Sequence, residues 1–185
     1  MGSRISMGYH PSRAKRHAAR ARVTANRAPT PSQTIGPFFG YALPFEAGPI
    51  AAAGAAAIRI EGQLLDGSGE PVPDGMVELW GEQQFARCRT DGEGAFHFTV
   101  TKPPRGSPRN DDAPHLEVTV FSRGLLRHLA TRLYFPDEEE SNVSDRTLNL
   151  LDPARRSTLI ARSEGPVLRF DIRLQGESET VFFAL

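Results

Sequence analysis

His115 and Glu117 stand two residues apart in the run APHLEVTVFSRG, residues 113 to 124. Side chains at i and i+2 of a strand share a face, so this imidazole and this carboxylate could reach one ion together. A working site needs a third and usually a fourth donor. The chain offers His97, His128, Tyr41, Tyr134 and Cys88, none at a recognisable ligand spacing. Three readings stay open on the residues alone: a two-histidine, one-carboxylate site completed by His97 or His128, the remnant of a metal site, or ordinary strand residues facing water.

Two other places carry chemistry. Arg123, in FSRG, presents the planar donor suited to a carboxylate, although an arginine at a strand end is as readily a solvated charge. The stretch TPSQTIGPF brings Thr34, Gly36 and Pro37 together in what the residue types alone read as a surface turn. The remaining notable residues read as structural. Trp80 is expected in the core or at an interface, Asp171 and Arg173 as a pair on an exposed strand face, Cys88 as a small buried residue, and Tyr134 as strand packing.

The elements that must position these residues are mostly strands. IRIEGQLLD, MVELW and GAFHFTV alternate apolar and polar residues, with dense turn chemistry between them in DGSGEPVPDG and TDGEG. Strands follow at 115 to 121 and about 129 to 135, separated from the earlier ones by the proline-rich TKPPRGSPRNDDAP. After the acidic loop PDEEESNVSDR, the spacing of Leu151, Arg155 and Leu159 allows one short helix. VLRFDIRLQ then reads as the clearest strand, with Leu168, Phe170, Ile172 and Leu174 on one face. Seven or so short strands and no βαβ pattern argue for an all-β, antiparallel β-sandwich with little helix.

Ahead of that domain, residues 30 to 57 read as an extended N-terminal arm followed by an alanine- and glycine-rich loop, and the sandwich itself runs from 58 to 185. Residues 1 to 29 hold seven basic residues and no acidic one, without the apolar stretch of a secretory signal, and read as a disordered leader. The rest has 15 basic against 22 acidic residues, about −7, which disfavours nucleic acid as a partner. No stretch approaches the ~20 apolar residues of a membrane span. The single cysteine excludes an internal disulfide framework and suits a reducing, cytoplasmic setting.

Four blocks now carry a resemblance. GQLLDGSGEPVPDGMVELW, RTDGEGAFHFTVTKP, APHLEVTVFSRGLLRHLATRLYFPDE and RFDIRLQGESETVFF resemble, in this order, the intradiol ring-cleavage dioxygenases across about residues 30 to 185. Within that family the chain, including its ending GESETVFFAL, is most similar to the α-type chains of heteromeric members. Iron-bearing chains of the family hold Fe(III) through two tyrosines and two histidines, the latter as an H-x-H pair. Here His115 matches the first histidine and Glu117 stands in place of the second. KPPRGSPRN and GEQQFARCRT supply no tyrosine where the family has one.

The resemblance therefore implies a chain with no catalytic residue and no metal ligand of its own. Fe(III) would be ligated by a partner β chain, in a higher oligomer of α–β pairs. The implied reaction is opening of a small aromatic substrate, protocatechuate, by O2 to 3-carboxy-cis,cis-muconate. Thr34, Gly36 and Pro37 match an arm that reaches into the partner's active-site opening, with Phe38 where a tyrosine is often found, and Arg123 would lie beside the substrate carboxylate. Two rivals stand beside this reading. A stand-alone β-sandwich binding module gives the arm no purpose, and a single-chain enzyme with its own metal predicts that the isolated chain retains it.

Overall fold

Among the described residues there are nine strands: β1 (Ala57–Leu65), β2 (Met76–Gly81), β3 (Gln84–Arg89), β4 (Ala95–Thr101), β5 (His115–Phe121), β6 (Leu129–Tyr134), β7 (Arg162–Glu164), β8 (Val167–Arg169) and β9 (Ile172–Arg173). They are seen in a computed structural model that describes residues 30 to 105 and 112 to 184, so the basic leader falls outside the described residues. Residues 33 to 185 make one compact unit. One sheet runs β4-β1-β8-β7 with β9 also on β1, and the other runs β3-β2-β5-β6.

The sandwich core lies between the two sheets. Ile60, Leu64, Phe96, Phe98, Val100 and Ile172 enter from the first, and Val77, Leu79, Leu116, Val118, Val120 and Leu133 from the second, all at 3% exposure or less. Burying side chains of this size is what holds two twisted sheets face to face. The same period of two sends His115, Glu117 and Thr119 of β5, and Arg132 of β6, to the outer face of the second sheet.

The clearest strand of the sequence is interrupted. β8 and β9 both pair with β1 in parallel, at Glu61↔Arg169 and Leu64↔Ile172, so the register is continuous across the break. Between them the Asp171 carboxylate accepts the Gln63 amide at 3.0 Å, taking the place of a backbone carbonyl. Gly62 is required beside the break, since a Cβ there would meet the Phe170 carbonyl oxygen at 1.9 Å. Asp171 does not pair with Arg173 as its spacing suggested. It is held by Arg169 at 2.7 Å and Arg162 at 3.0 Å, because β7 folds back on β8 and sets Arg162 opposite Arg169.

Helix is scarce, as expected. The short helix after the acidic loop forms as α3 (Pro153–Ser157), with Pro153 in its first turn and the Asp152 carboxylate capping Arg155 N–H at 3.0 Å. Two further short helices, α1 (Phe39–Ala42) and α2 (Glu139–Ser144), lie in the arm and in the acidic loop.

The arm lies on the outer face of the second sheet. Phe39 meets Phe121, Phe45 stacks on Phe85, Arg89 sits over the Tyr41 ring at 4.7 Å, and Arg87 donates to the Leu43 carbonyl at 2.7 Å. At the chain's other end the tail runs beside β6, where Phe183 N–H donates to Ala130 at 2.8 Å and the Thr131 hydroxyl donates to the Val181 carbonyl at 2.6 Å.

Candidate functional site

The β5–β6 hairpin decides what surrounds His115 and Glu117. Its register sets His115 opposite Tyr134 and Glu117 opposite Arg132. His115 Nδ1 donates to the Ala113 carbonyl at 2.7 Å, which turns Nε2 toward Glu117 Oε1 at 3.3 Å. Arg132 Nε donates to that same Oε1 at 3.0 Å. Arg132 Nη1 lies 3.4 Å from Asp112 Oδ2 and from Tyr134 Oη, and 3.3 Å from Thr147 Oγ1. The guanidinium is thus ringed by two carboxylates, a phenol and a hydroxyl, beside a cavity of about 320 Å³ walled by Trp80, Pro103 and Pro104.

Electrostatics at this cluster follow from the geometry. Burial raises the Glu117 pKa, but the His115 hydrogen bond and the Arg132 charge outweigh it and hold the carboxyl below its usual range. Burial likewise disfavours charge on Arg132, and contacts with Tyr134, Glu117 and Asp112 more than restore it. Burial, together with the nearby Asp145 carboxylate, pushes the Tyr134 phenol up to about 12 despite Arg132. The phenol hydroxyl is engaged within the chain, donating to Asp145 Oδ1 at 3.3 Å and lying 3.4 Å from Arg132 Nη1.

The residues present do not fit iron. Among the described residues no group of three or more His, Cys, Asp or Glu side chains could hold a metal ion. The third donors weighed from the sequence are scattered. His97 sits on β4 in the opposite sheet, paired with Glu61, and His128 packs on Phe121 at the far end of β5. Cys88 is buried in the core and Tyr41 lies under Arg89. Tyr134, read as strand packing, is fully buried yet carries its hydroxyl to this cluster. Trp80 is not in the core of the chain: it is 46% exposed, leans on Phe85 at 4.3 Å and donates to Glu78 at 3.1 Å.

A second locus stands at the other end of β5, about 20 Å away by the length of a seven-residue strand. Ile35 N–H donates to the Leu125 carbonyl at 2.6 Å, and Gly124 N–H returns to the Ile35 carbonyl at 3.3 Å. This backbone exchange brings Thr34, Gly36 and Pro37 alongside the turn that carries Arg123. Thr34, Gly36 and Pro37 are all exposed, and nothing lies within 4 Å of where a Cβ on Gly36 would be. Arg123 is 66% exposed and meets Asp74 through Nε at 3.1 Å. Asp74 was not singled out by the sequence, where nothing ties a loop aspartate to a turn 49 positions later.

No family model matches the chain. Individual proteins do. It is 38% identical over 189 residues to the protocatechuate 3,4-dioxygenase alpha chain of Burkholderia cepacia, covering 83% of this chain and 96% of that one. The chain belongs to the intradiol ring-cleavage dioxygenases, in the protocatechuate 3,4-dioxygenase alpha-chain family. As an intradiol dioxygenase subunit it is classed with the oxidoreductases. The beta chain from the same Burkholderia cepacia is a more distant relative, 30% identical over 156 residues and covering 66% of each chain. A similar fold is seen in the dioxygenase domain of a dioxygenase carbohydrate-binding protein fusion from Streptomyces sp. SirexAA-E, with a TM-score of 0.54, 23% identity, and coverage of 69% of this chain and 87% of that one. No helix of the described residues is long and apolar enough to cross a membrane.

Proposed function

We propose that this chain is the alpha subunit of a heteromeric protocatechuate 3,4-dioxygenase, in which an iron-bearing beta chain carries the redox chemistry and this chain forms one wall of the substrate pocket. The observation that carries the reading is the backbone exchange between Ile35 and residues 124 and 125. It gathers Thr34, Gly36, Pro37 and Arg123 on one exposed rim, well away from the chain's own His115 cluster. Residues so placed suit a cavity completed by another protein.

On this reading the partner's Fe(III) supplies activation of the catechol ring toward O2. The present chain binds and orients. Asp74 engages Arg123 through Nε, and among the described residues no other acceptor reaches that guanidinium. Its terminal nitrogens therefore remain for the carboxylate that distinguishes protocatechuate from catechol. Thr34, Gly36 and Pro37 bring a short, stiff segment against the substrate, and such a wall loses little entropy on ordering. The product is then 3-carboxy-cis,cis-muconate, and the working assembly is an oligomer of alpha–beta pairs in the cytoplasm.

The test is to produce the full chain alone and with its beta chain, and to measure iron content and O2 uptake with protocatechuate in each. The expected result is neither property for the chain alone and both for the pair. Stoichiometric iron on the isolated chain, or ring cleavage without a partner, refutes the proposal.

A further inference from the structure

Phe170 and Ile172 turn into the core, so Arg169, Asp171 and Arg173 face outward together on the first sheet. β7 adds Arg162 opposite Arg169. These residues wall a cavity of about 320 Å³ that Ser178 and Thr180 also line. Three guanidiniums and one carboxylate meet there, on a body that outside the leader carries 15 basic against 22 acidic residues.

The carboxylate is already spent. Asp171 Oδ1 accepts the Gln63 amide at 3.0 Å and Arg169 Nε at 2.7 Å, and Oδ2 accepts Arg162 Nη2 at 3.0 Å. One negative charge is thus shared between two guanidiniums. Glu164, 4.0 Å from Arg162, stands outside the cavity. Among the described residues Arg173 has no carboxylate within ion-pair distance.

The loop beside Arg173 is firmly held. Arg173 N–H donates to Thr180 Oγ1 at 3.0 Å, and the Thr180 amide returns to the Arg173 carbonyl at 3.0 Å. Arg155 Nη1 donates to the Glu179 carbonyl at 3.0 Å. Between these anchors Ser178 is kept at φ 61°, a left-handed conformation that costs a non-glycine residue energy and persists where its surroundings impose it. Its hydroxyl has no hydrogen-bond partner among the described residues.

We infer that this cavity is a binding site for a small oxyanion, a phosphate or a carboxylate, held by the Arg173 guanidinium and the Ser178 hydroxyl, with Arg162 and Arg169 supplying further positive charge. A guanidinium donates paired N–H groups to the paired oxygens that both kinds of anion present. A cation-lined recess in an acidic body focuses the field, so an anion is drawn to this place rather than spread over the surface. The site lies on the opposite sheet from Arg123 and uses groups of this chain alone, so it stands whether or not the subunit role above is correct.

The test titrates inorganic phosphate, and separately malonate, into the full-length chain by calorimetry, at neutral pH and an ionic strength held constant with chloride. At least one of them is expected to bind with a Kd of about 1 mM or tighter, and the tighter one tells whether the site takes tetrahedral or planar oxygens. Arg173→Gln is expected to weaken that anion about tenfold or more. It breaks no ion pair, so the thermal midpoint in chloride is expected to stay where it is. Ser178→Gly removes the hydroxyl and suits the positive φ, so about threefold weaker binding is expected in a chain at least as stable. No binding of either anion up to about 10 mM overturns the inference. Binding that Arg173→Gln leaves unchanged overturns it too, as general attraction to surface charge.

Discussion

Ile35 and Leu125 are joined by a 2.6 Å backbone hydrogen bond that fixes an otherwise exposed arm to the turn after β5. Ile35 itself is the one half-buried residue between Thr34 and Phe38. The contact is local, yet it decides which loop the arm presents beside, and so which side chains act together. Replacing Ile35 by proline removes the N–H and the bond. In the alpha–beta enzyme this variant is expected to raise KM for protocatechuate about tenfold, with the thermal midpoint of the chain unchanged. Steady-state kinetics and calorimetry read the two quantities separately, and unaltered kinetics would detach the arm from substrate binding.

Arg123 offers a sharper test of the same rim. A hydrogen bond to a charged group contributes about 1.5 to 3 kcal/mol, or roughly ten- to hundredfold in affinity. Arg123→Gln is expected to weaken protocatechuate by that factor while leaving a carboxylate-free catechol unaffected. Equal losses for both substrates would point to a general disturbance of the pocket. Asp74→Asn should produce a smaller loss of the same selectivity, because it loosens the guanidinium without deleting it.

Acid sensitivity should concentrate at Glu138. Its side chain is 9% exposed and bridges Lys102 at 2.8 Å and Arg105 at 2.7 Å, and the Lys102 hydrogen bond leads in holding its pKa below the ordinary value of about 4.5. A carboxyl depressed in the folded state contributes stability that is fully present above its unfolded pKa and is lost as pH falls through the folded one. Urea midpoints measured from pH 6 downward are therefore expected to fall for the parent below about pH 4.5. The same series for Glu138→Gln should start lower and fall less steeply.

Gly62→Ala tests the break between β8 and β9. The added methyl would meet a backbone oxygen at 1.9 Å, and a backbone atom cannot swing aside as a side chain can. Overpacking of this kind costs about 3 kcal/mol, expected as a loss of about 1.5 M in the urea midpoint. A drop of only a few tenths of a kcal/mol would mean that the strand can step aside freely.

Most of the sandwich was legible because burial on one face of a strand writes itself as alternation. The exceptions have local causes. VLRFDIRLQ alternates without interruption, yet Asp171 spends its carboxylate on the Gln63 amide, a substitution that alternation cannot reveal. β3 was missed because Gln84–Arg89 carries only half-buried or exposed residues around Ala86 and Cys88. At the His115 cluster the sequence exposed the two donors but not the guanidinium between the carboxylates. The signal was present: RLY places Arg132 and Tyr134 on one face of a strand that a short hairpin folds back on HLE. What it lacked was register, which depends on the turn and on packing of both strands against the core.

The tail beside β6 carries one more consequence. β6 is the last strand of its sheet, and a terminal strand presents unpaired amides and carbonyls to any chain that can align with them. Ile160 bridges Tyr134 and Phe183 bridges Ala130, closing that border with segments from the final quarter of the polypeptide. During synthesis the border stays unsealed until those segments emerge from the ribosome, and a chain truncated shortly before Phe183 leaves the Ala130 end of the edge open to pairing while Ile160 still covers the Tyr134 end.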